Sequence, residues 1–486
     1  MLSMRRSFSA VLFGCGVAAL VWFEQRRALR PSREAKLPHD VRNLIIAGTA
    51  GIVSALVEAP IAKALGTYLK RNSGFRVNVG CDVRLSSPRL KEAIVRGLLS
   101  TGCDVTDVGV VPTPLVYYSA VHLKADGAVM ITGSHNPAEY NGFKTVCGVG
   151  TIHGAEIQKV RRMIESGDFE TGEGKRSSFD IVTPYVAEIA GQFSFPRKVK
   201  VVLDAGNGTA GPAMHRILEK LNVDAVELFF DMDGHFPNHH PDPTVPENLS
   251  HLMAKVRETK SDLGIAFDGD ADRIGAVDEN GDVIYGDMLL FVYGREILTR
   301  KPGATFIGEV KCSQTMYDEL NRLGGNAIMF KTGHSLIKEK MKQEHAELAG
   351  EMSGHMFFGD RYYGFDDALY AACRLIEIVA NSGKPLSAQL EGLPRMVSTP
   401  EIRIDCPDET KFDVVEQVAR RFKQTHKVID VDGVRVIFPH GWGLLRASNT
   451  QPVLVQRFEA ENEFLLKQYR DEVEAVLQQV KEKTTQ

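Results

Sequence analysis

The sequence contains little cysteine, and its cysteines follow no pattern. Seven occur among the 486 residues, at positions 15, 81, 103, 147, 312, 373 and 406. No C-x-x-C pair occurs, and no block of histidines and cysteines is present. These absences argue against a disulfide framework and against a zinc ribbon, so the composition indicates a protein of a reducing compartment.

An excess of one charge is also lacking. Lysine and arginine total 58 against 62 aspartates and glutamates, which gives a net charge of −4. No long basic run occurs outside the N-terminus, so we expect no nucleic-acid partner. Hydrophobic residues make up 43% and charged residues 25%. These ordinary values exclude wholesale disorder and a polytopic membrane protein, and the length predicts roughly three domains.

Long apolar runs are absent except near the N-terminus. Residues 8–23 are uncharged and mostly apolar, and Arg5 and Arg6 precede them. Sixteen residues in a helix span about 24 Å, less than the roughly 30 Å of a bilayer's hydrocarbon layer. Three interpretations stay open: a tilted membrane anchor, an organelle-targeting segment, and a wrongly assigned start codon. We expect a cytoplasmic body that this segment tethers to a membrane, with organelle targeting as the alternative.

The rest of the chain alternates strand-like and helix-like segments. Strands are predicted at 76–80, 126–131, 198–204, 223–230, 263–267, 305–309 and 327–330, and helices at 88–100 and 211–221. This order predicts α/β layers with mainly parallel sheets and functional groups at the carboxyl ends of the strands. The last ninety or so residues differ, with strands at 434–438 and 453–458 before a charged helix. They predict a smaller α+β unit.

A glycine-rich turn follows one of these strands. Gly206, Gly208 and Gly211 form a G-x-G-x-x-G pattern that opens a helix, and Asp231 closes the next strand. This pattern is typical of dinucleotide binding, so an NAD-dependent oxidoreductase is one hypothesis. The alternative is a tight turn from a strand into a packed helix.

Three aspartates on alternate residues follow the apolar strand LGIAF. Asp268, Asp270 and Asp272 repel one another unless a hard divalent cation holds them together. An EF-hand is a competing interpretation because Glu279 falls at the twelfth position, but Arg273 occupies the sixth position, where an EF-hand requires glycine. Magnesium (Mg²⁺) in phosphoryl chemistry fits better, with Arg273 neutralising a phosphate.

A serine stands in a turn after the strand at 126–131. Ser134 lies between Gly133 and His135, and Lys144 follows in the next segment. An exposed hydroxyl beside an imidazole suits a covalent nucleophile or a phosphate carrier. The same residues also suit an ordinary turn.

A short polar segment combines a carboxylate, a hydroxyl and an imidazole. Glu351, Ser353 and His355 alternate, so in an extended segment they project from one face. Such a row suits a polyhydroxy ligand such as a sugar. A lone buried histidine is the alternative.

The last polar loop is rich in donors for an anion. Arg446, Ser448, Asn449 and Thr450 offer a guanidinium, two hydroxyls and an amide, with Arg457 as a second fork. These groups suit a phosphate. Helix or turn capping by the two hydroxyl residues is the alternative.

The order of these loops carries more information than any one of them. TGSHNP, DGDADR, GEMSGH and RASNT occur in that sequence, together with PTPLVYY, KTGHSLIK, GFDDALY and STPEI. Over roughly residues 37–480 the chain closely resembles the α-D-phosphohexomutase superfamily, in its bifunctional phosphomannomutase/phosphoglucomutase branch. In that family the GNGTAG turn is a packing feature.

The resemblance implies a fold of three α/β domains with mixed sheets and a smaller C-terminal α+β domain around a central cleft. After a hydrophobic segment and linker at 1–36, the implied domains are 37–180 with a phosphoserine loop, 181–283 with a metal loop, 284–394 with a sugar loop and 395–486 with a phosphate loop.

The resemblance also implies roles for single residues. Ser134 would be the phosphorylated serine and would bind Mg²⁺ together with the three aspartates. The residues implied for sugar binding are Glu351, Ser353, His355 and Lys311. Those implied for phosphate binding are Arg446, Ser448, Asn449, Thr450 and Arg457. Apart from Ser134, the residues implied for catalysis are Arg273, with no specific step, and Lys144 and His334, as acid and base.

The implied reaction interconverts the 1- and 6-phosphates of mannose and of glucose through a hexose 1,6-bisphosphate. Glucose 1,6-bisphosphate or mannose 1,6-bisphosphate would serve as primer, hexose phosphates are the expected ligands, and a monomer is expected. Two departures support an alternative, a non-catalytic phosphosugar-binding protein. The segment AGTAGIV lacks the arginine of the relatives' Asp-Ile-Arg-Gly run, and Cys81 replaces an arginine.

Overall fold

The structure, a computed structural model, describes residues 10–15, 18–23, 53–148, 150–448 and 451–484. Within these residues the chain forms four sheets, each packed against helices. The predicted α/β architecture with a C-terminal α+β unit is confirmed. We number the four units by the order of their sheets along the chain.

The first unit holds an eight-stranded mixed sheet. Its strands are β1 Ala10–Cys15, β2 Ala18–Phe23, β3 Arg76–Cys81, β4 Asp104–Val110, β5 Gly127–Ile131, β6 Phe143–Cys147, β7 Gly150–Thr151 and β8 Arg176–Ser178. Its helices are α1 Val53–Asn72, α2 Ser87–Ser100, α3 Thr113–His122 and α4 Ala155–Ser166. The strand order is β1-β2-β6-β5-β3-β4-β8, and β7 pairs with β6.

The apolar N-terminal run forms strands where it is described. β1 and β2 pair antiparallel, and β2 pairs with β6 through Ala18 opposite Lys144. Among the described residues, no helix has both the length and the apolar character needed to cross a bilayer. The predicted anchor at residues 8–23 therefore finds no support, and most of the segment 1–36 lies outside the described residues.

The second and third units repeat one design. The second contains α5 Val182–Gln192, β9 Val199–Asp204, α6 Ala210–Leu218, β10 Val223–Leu228, α7 Ser250–Thr259, β11 Leu263–Phe267, β12 Ile274–Asp278 and β13 Val283–Ile284. The third contains α8 Gly286–Arg300, β14 Thr305–Glu309, α9 Gln314–Arg322, β15 Asn326–Phe330, α10 His334–Glu344, β16 Leu348–Gly350, β17 Met356–Phe358 and α11 Ala368–Ser382. Their strand orders are β10-β9-β11-β12-β13 and β15-β14-β16-β17.

All three α/β units share a turn that brings functional residues to one edge. In β4-β3-β5-β6, β10-β9-β11-β12 and β15-β14-β16-β17 the first three strands are parallel and the fourth is antiparallel. The sheets are therefore mixed, as the resemblance implies, and not mainly parallel, as the strand–helix alternation predicts. Each fourth strand returns from the carboxyl end of the third through a loop, and these loops are 132–142, 268–273 and 351–355.

The fourth unit is an antiparallel sheet packed against two helices. It contains β18 Val397–Ser398, β19 Ile402–Asp405, α12 Lys411–Phe422, β20 Lys427–Ile429, β21 Val434–Phe438, β22 Gly441–Ala447, β23 Val453–Ala460 and α13 Glu463–Thr484. The strand order is β18-β23-β22-β21-β20, with β19 also paired to β23.

One hydrophobic core links the first three units, and a small buried cluster of Val310, Trp442 and Leu444 joins the third unit to the fourth. One buried cluster runs from Val116 through Tyr185 and Ile265 to Phe358. The fourth unit has its own cluster around Phe458 and its helix partners. Because interiors are close-packed, the shared core fixes the three hairpin loops relative to one another.

Candidate active site

The loop after β5 presents a strained serine to the aspartate loop. Ser134 has a φ of +50°, a backbone conformation that side chains other than glycine rarely adopt. Its Oγ lies 3.0 Å from Oδ2 of Asp268 and 3.2 Å from Nδ1 of His135. The serine is 6% exposed. The hydroxyl is therefore held against a carboxylate of the next unit.

The three aspartates lie together and are completely buried. Lys144 donates to Oδ2 of Asp270 at 2.7 Å and also to Asp272. Burial, then repulsion by the other two aspartates, raises the pKa of Asp268 well above its usual range. Burial opposes the charge on Lys144, but the carboxylates outweigh it and raise the pKa of this ammonium. The loop thus places three buried acidic side chains beside the ammonium of Lys144.

The aspartate loop fits a divalent cation. Oδ1 of Asp270 and Oδ1 of Asp272 are buried and accept no hydrogen bond from the protein. Ligand oxygens of the three carboxylates all lie within 4.8 Å of one another. A hard cation with oxygen ligands satisfies such orphaned acceptors and relieves the repulsion, so the cluster can hold a metal such as Mg²⁺.

A buried aspartate lies beside two histidines that stack on each other. His334 and His355 stack with 4.8 Å between ring centroids. Nδ1 of His334 lies 2.6 Å, and Nδ1 of His355 3.3 Å, from Oδ2 of Asp366. Burial raises the pKa of Asp366, but Lys338 and His334 outweigh it, so the net pKa lies well below the usual range and this residue accepts as a carboxylate.

The ring nitrogens of the two histidines are therefore distinguishable. The Nε group of Arg273 donates to Nε2 of His355 at 3.0 Å, so that nitrogen is an acceptor and the proton sits on Nδ1. Burial lowers the pKa of His334 well below its usual value, although Asp366 opposes this shift. His334 is thus neutral near pH 7 and, with its proton on Nδ1, offers the lone pair of Nε2.

The predicted sugar-binding residues lie together, but not in the predicted conformation. Residues 351–355 form the hairpin loop between β16 and β17 rather than an extended segment. Ser353 Oγ still lies 3.5 Å, and His355 Nε2 3.9 Å, from Oε2 of Glu351. Oε1 of Glu351 accepts a hydrogen bond from the backbone of Gly333 at 2.8 Å. The loop is thereby tied to the start of the helix that carries His334.

Lys311 is a buried cation at the edge between the third and fourth units. Its ammonium lies 3.1 Å from Glu401 and 3.9 Å from Glu309. Burial opposes the charge, but these carboxylates outweigh it and raise the pKa of Lys311. The lysine therefore stays charged and suits an anionic ligand.

The loop of the fourth unit that is predicted to bind phosphate is linked to the third unit by Asp432. Oδ2 of Asp432 accepts from Nε of Arg446 at 2.9 Å and from the backbone of Thr332 at 3.1 Å. Ser448, a member of the same predicted loop, is buried. Asn449 and Thr450 lie outside the described residues.

Arg457 has a different position from the one predicted. The sequence predicts a second phosphate fork, but the guanidinium of Arg457 is buried and donates to Oδ2 of Asp287 at 3.1 Å and to the carbonyl oxygen of Lys311. The same strand, β23, carries Glu459, whose Oε1 accepts from Ser313 of the third unit at 2.9 Å. The residue therefore joins the fourth unit to the third.

Two alternatives from the sequence are wrong. In the G-x-G-x-x-G turn the N–H groups of residues 206–209 already donate to protein oxygens, so none is left for a pyrophosphate. A Cβ on Gly211 would lie 2.0 Å from the carbonyl oxygen of Phe230, which shows why the turn requires glycine. The EF-hand fails because the carboxylate of Glu279 accepts from Ser387, away from the aspartates.

The sequence assigns no role to several residues of the site. Asp366 stands in GFDDALY, a motif that carries the resemblance but gives this residue no role. Asp82 and Arg84 hold the serine loop, and Thr113 donates to Asp270. A pair of acids after aromatic residues was the available signal for Asp366. Cys81 is fully buried in the core of the first unit.

Comparison with known proteins points to one family. Family models for domains I, II, III and the C-terminal domain of phosphoglucomutase/phosphomannomutase match residues 38–171, 183–281, 285–396 and 401–476. A phosphomannomutase/phosphoglucomutase of Pseudomonas putida is 45% identical over 85% of this chain and 89% of its own, and one of Pseudomonas aeruginosa is 44% identical over 88% and 94%.

A solved structure shows the same fold. It is a phosphoglucomutase/phosphomannomutase family protein of Burkholderia thailandensis, with 43% sequence identity and a TM-score of 0.84, covering 90% of this chain and 96% of its own. The chain belongs to the phosphoglucomutase/phosphomannomutase family of α-D-phosphohexomutases. Within that family it is an enzyme of the bifunctional branch, a hexose phosphate mutase.

Proposed function

We propose that Ser134 carries the phosphoryl group that this mutase exchanges with the 1- and 6-hydroxyls of mannose and glucose phosphates. The observation that carries the proposal is the 3.0 Å contact between Ser134 Oγ and Asp268 in a buried setting of acids and one lysine. A hydroxyl against a group of carboxylates that can hold a divalent cation is suited to phosphoryl transfer.

The magnesium ion would be held by Asp268, Asp270 and Asp272 with the phosphoserine. When bound, Mg²⁺ neutralises charge on the transferring phosphoryl group. The protein's own cations act beside it. Lys144 reaches two of the aspartates, and Arg273, whose pKa is raised by its acidic neighbours against the effect of burial, stays charged in the same pocket.

In the first transfer the Oγ–P bond of phosphoserine breaks and a bond forms between phosphorus and a sugar hydroxyl oxygen. The proton of that hydroxyl passes to a base, and Nε2 of His334 is our candidate because its lone pair is free when Nδ1 faces Asp366. Lys144 is the candidate acid that stabilises and protonates the serine oxygen as it leaves.

The product of this step is a hexose 1,6-bisphosphate, which must turn over before it returns its other phosphoryl group to Ser134. The binding groups therefore have to accept both orientations. We assign the sugar hydroxyls to Glu351, Ser353 and His355, which lie in one loop, together with Lys311. Hydroxyl contacts of this kind tolerate both hexoses.

The distal, non-reacting phosphate is assigned to the loop of the fourth unit. Its residues are Arg446, Ser448, Asn449 and Thr450. Arg446 is oriented by Asp432, which leaves its side chain fixed at the edge of the third unit. Glucose 1,6-bisphosphate or mannose 1,6-bisphosphate would prime the enzyme by phosphorylating Ser134.

The test compares Ser134→Ala with Ser119→Ala, a control at a buried serine of the same unit that lies outside the site. After incubation with glucose 1,6-bisphosphate, intact-mass analysis should find one added phosphoryl group in the wild type and the control, and none in Ser134→Ala. Conversion of mannose 1-phosphate should be lost in Ser134→Ala alone. Full turnover by Ser134→Ala would refute the proposal.

A further inference from the structure

A wholly buried arginine lies beneath the serine loop. The guanidinium of Arg84 donates to the carbonyl oxygens of Ser134 and Asn136, each at 2.6 Å. It also donates to the carbonyl oxygen of Tyr140 at 3.1 Å and to that of Pro137. One planar fork therefore holds four carbonyl groups of one loop, a geometry that a lysine ammonium does not reproduce.

The carboxylate of Asp82 holds the other side of the same loop. It accepts from the hydroxyl of Thr132 at 2.9 Å and from the backbone of Gly133 at 3.1 Å. It also accepts from the Nε and backbone groups of Arg84, each at 3.0 Å, and from Ser87. Asp82 thus fixes the start of the loop and orients the arginine that fixes the rest.

The two residues enclose the strained backbone of the serine. Ser134 keeps its φ of +50° while its N–H donates to Oγ1 of Thr132 at 2.8 Å and its carbonyl oxygen accepts from Arg84. Asp82 holds that threonine hydroxyl. Both peptide groups that flank the serine are therefore anchored to this one ion pair, and their orientation decides where Oγ points.

We propose that Asp82 and Arg84 are positioning residues for phosphoryl transfer: they impose the backbone conformation that aims Ser134 Oγ at the aspartate loop. The inference rests on the proposed role of Ser134. Neither residue touches the transferred group, so their effect is on alignment rather than on binding of the sugar. Misplacement of a reacting atom by about 1 Å can lower a rate by about 100-fold.

The experiment uses Arg84→Lys in the full chain. We expect kcat for glucose 1-phosphate to fall by about 100-fold while KM changes by less than about twofold. In single turnover, the phosphorylated variant should lose more of its phosphoryl group to water, relative to transfer to the sugar, than the wild type does. A purely structural role would not change that partition.

The matched control is Arg374→Lys. Arg374 is also wholly buried and donates to Oδ2 of Asp360 at 3.1 Å and to its carbonyl oxygen at 3.2 Å, but it lies away from the serine loop. We expect it to lower the melting temperature without changing the kcat or the partition. If Arg84→Lys does not fold, Asp82→Asn provides the same readouts.

The outcomes separate this inference from the proposed function. If Ser134→Ala is inactive but a folded Arg84→Lys keeps the wild-type kcat and the wild-type partition between water and sugar, only the positioning role is overturned. A kinetic loss of the same size and kind in Arg374→Lys would also overturn it. An active Ser134→Ala would instead overturn the role of the serine itself.

Discussion

Lys144→Met removes an ammonium that lies between two fully buried carboxylates. Lys144 is 2.7 Å from Asp270 and also contacts Asp272, and a third aspartate completes the group. Methionine keeps much of the volume of the side chain, so the change acts through charge. Breaking a buried ion pair by removing one partner costs about 3–5 kcal/mol.

A loss of this size should be visible in thermal unfolding. For a unit of 150–250 residues, 1 kcal/mol lowers the melting temperature by about 2–4 °C, so we expect a decrease on the order of 10 °C in the presence of a chelator. Mg²⁺ should restore more stability to the variant than to the wild type, because the cation then balances carboxylates that lack their lysine. Binding at 100 times Kd contributes about 2.7 kcal/mol.

Differential scanning fluorimetry with and without Mg²⁺ measures both effects. Lys91→Met is the control, because Lys91 pairs with Asp107 at 2.9 Å in a partly exposed position outside the site. It should change the melting temperature by about 2 °C or less and leave the response to Mg²⁺ unchanged. Equal melting temperatures of Lys144→Met and the wild type in chelator would refute the charge balance that we infer for the aspartate loop.

Two further predictions concern stability. Burial raises the pKa of Asp367 to about 6. The free energy that this carboxyl contributes to folding is therefore fully present below about pH 4 and is lost as the pH rises through 6. In urea unfolding, the free energy of unfolding of the wild type should fall by about 3 kcal/mol between pH 4 and 7, and Asp367→Asn should remove this decrease. The same pH dependence in both proteins would contradict this. Arg435 stacks 3.7 Å from the ring of Trp442 and donates to two carbonyl oxygens of the third unit. Arg435→Met should lower the free energy of unfolding of the fourth unit by about 3 kcal/mol, measured in urea through the fluorescence of Trp442. The exposed Arg403→Met should not lower it. Equal urea midpoints for Arg435→Met and the wild type would refute this role of Arg435.

Strands and loops of this protein were predictable because their signals are local. The strand at 434–438 and those that precede Ser134 and Asp268 were found from short apolar runs closed by polar residues. The conformation of residues 351–355 was not predictable in this way. An alternating polar segment fits both an extended strand and a hairpin loop, and the pairing of β16 with β17 selects the hairpin.

The partners of buried polar groups depend on contacts that are distant in the sequence. Arg457 has the donors of a phosphate fork, but Asp287, 170 residues away, accepts from it. The pair of acids in GFDDALY does not state that Oδ2 of Asp366 lies 2.6 Å from Nδ1 of His334 and 3.3 Å from Nδ1 of His355. A guanidinium or carboxylate removed from water takes whichever partner the packing provides, and the sequence does not state which one is near.

By itself, the sequence determined the family, the fold class and the identity of the loops, because glycine turns, apolar runs and loop motifs are written in consecutive residues. The tertiary structure alone decided that Ser134 meets Asp268 across 134 residues, that Lys144 balances two of the aspartates, and that Asp82 and Arg84 hold the serine loop. Those relations arise when one shared core packs three sheets and brings the ends of their strands together.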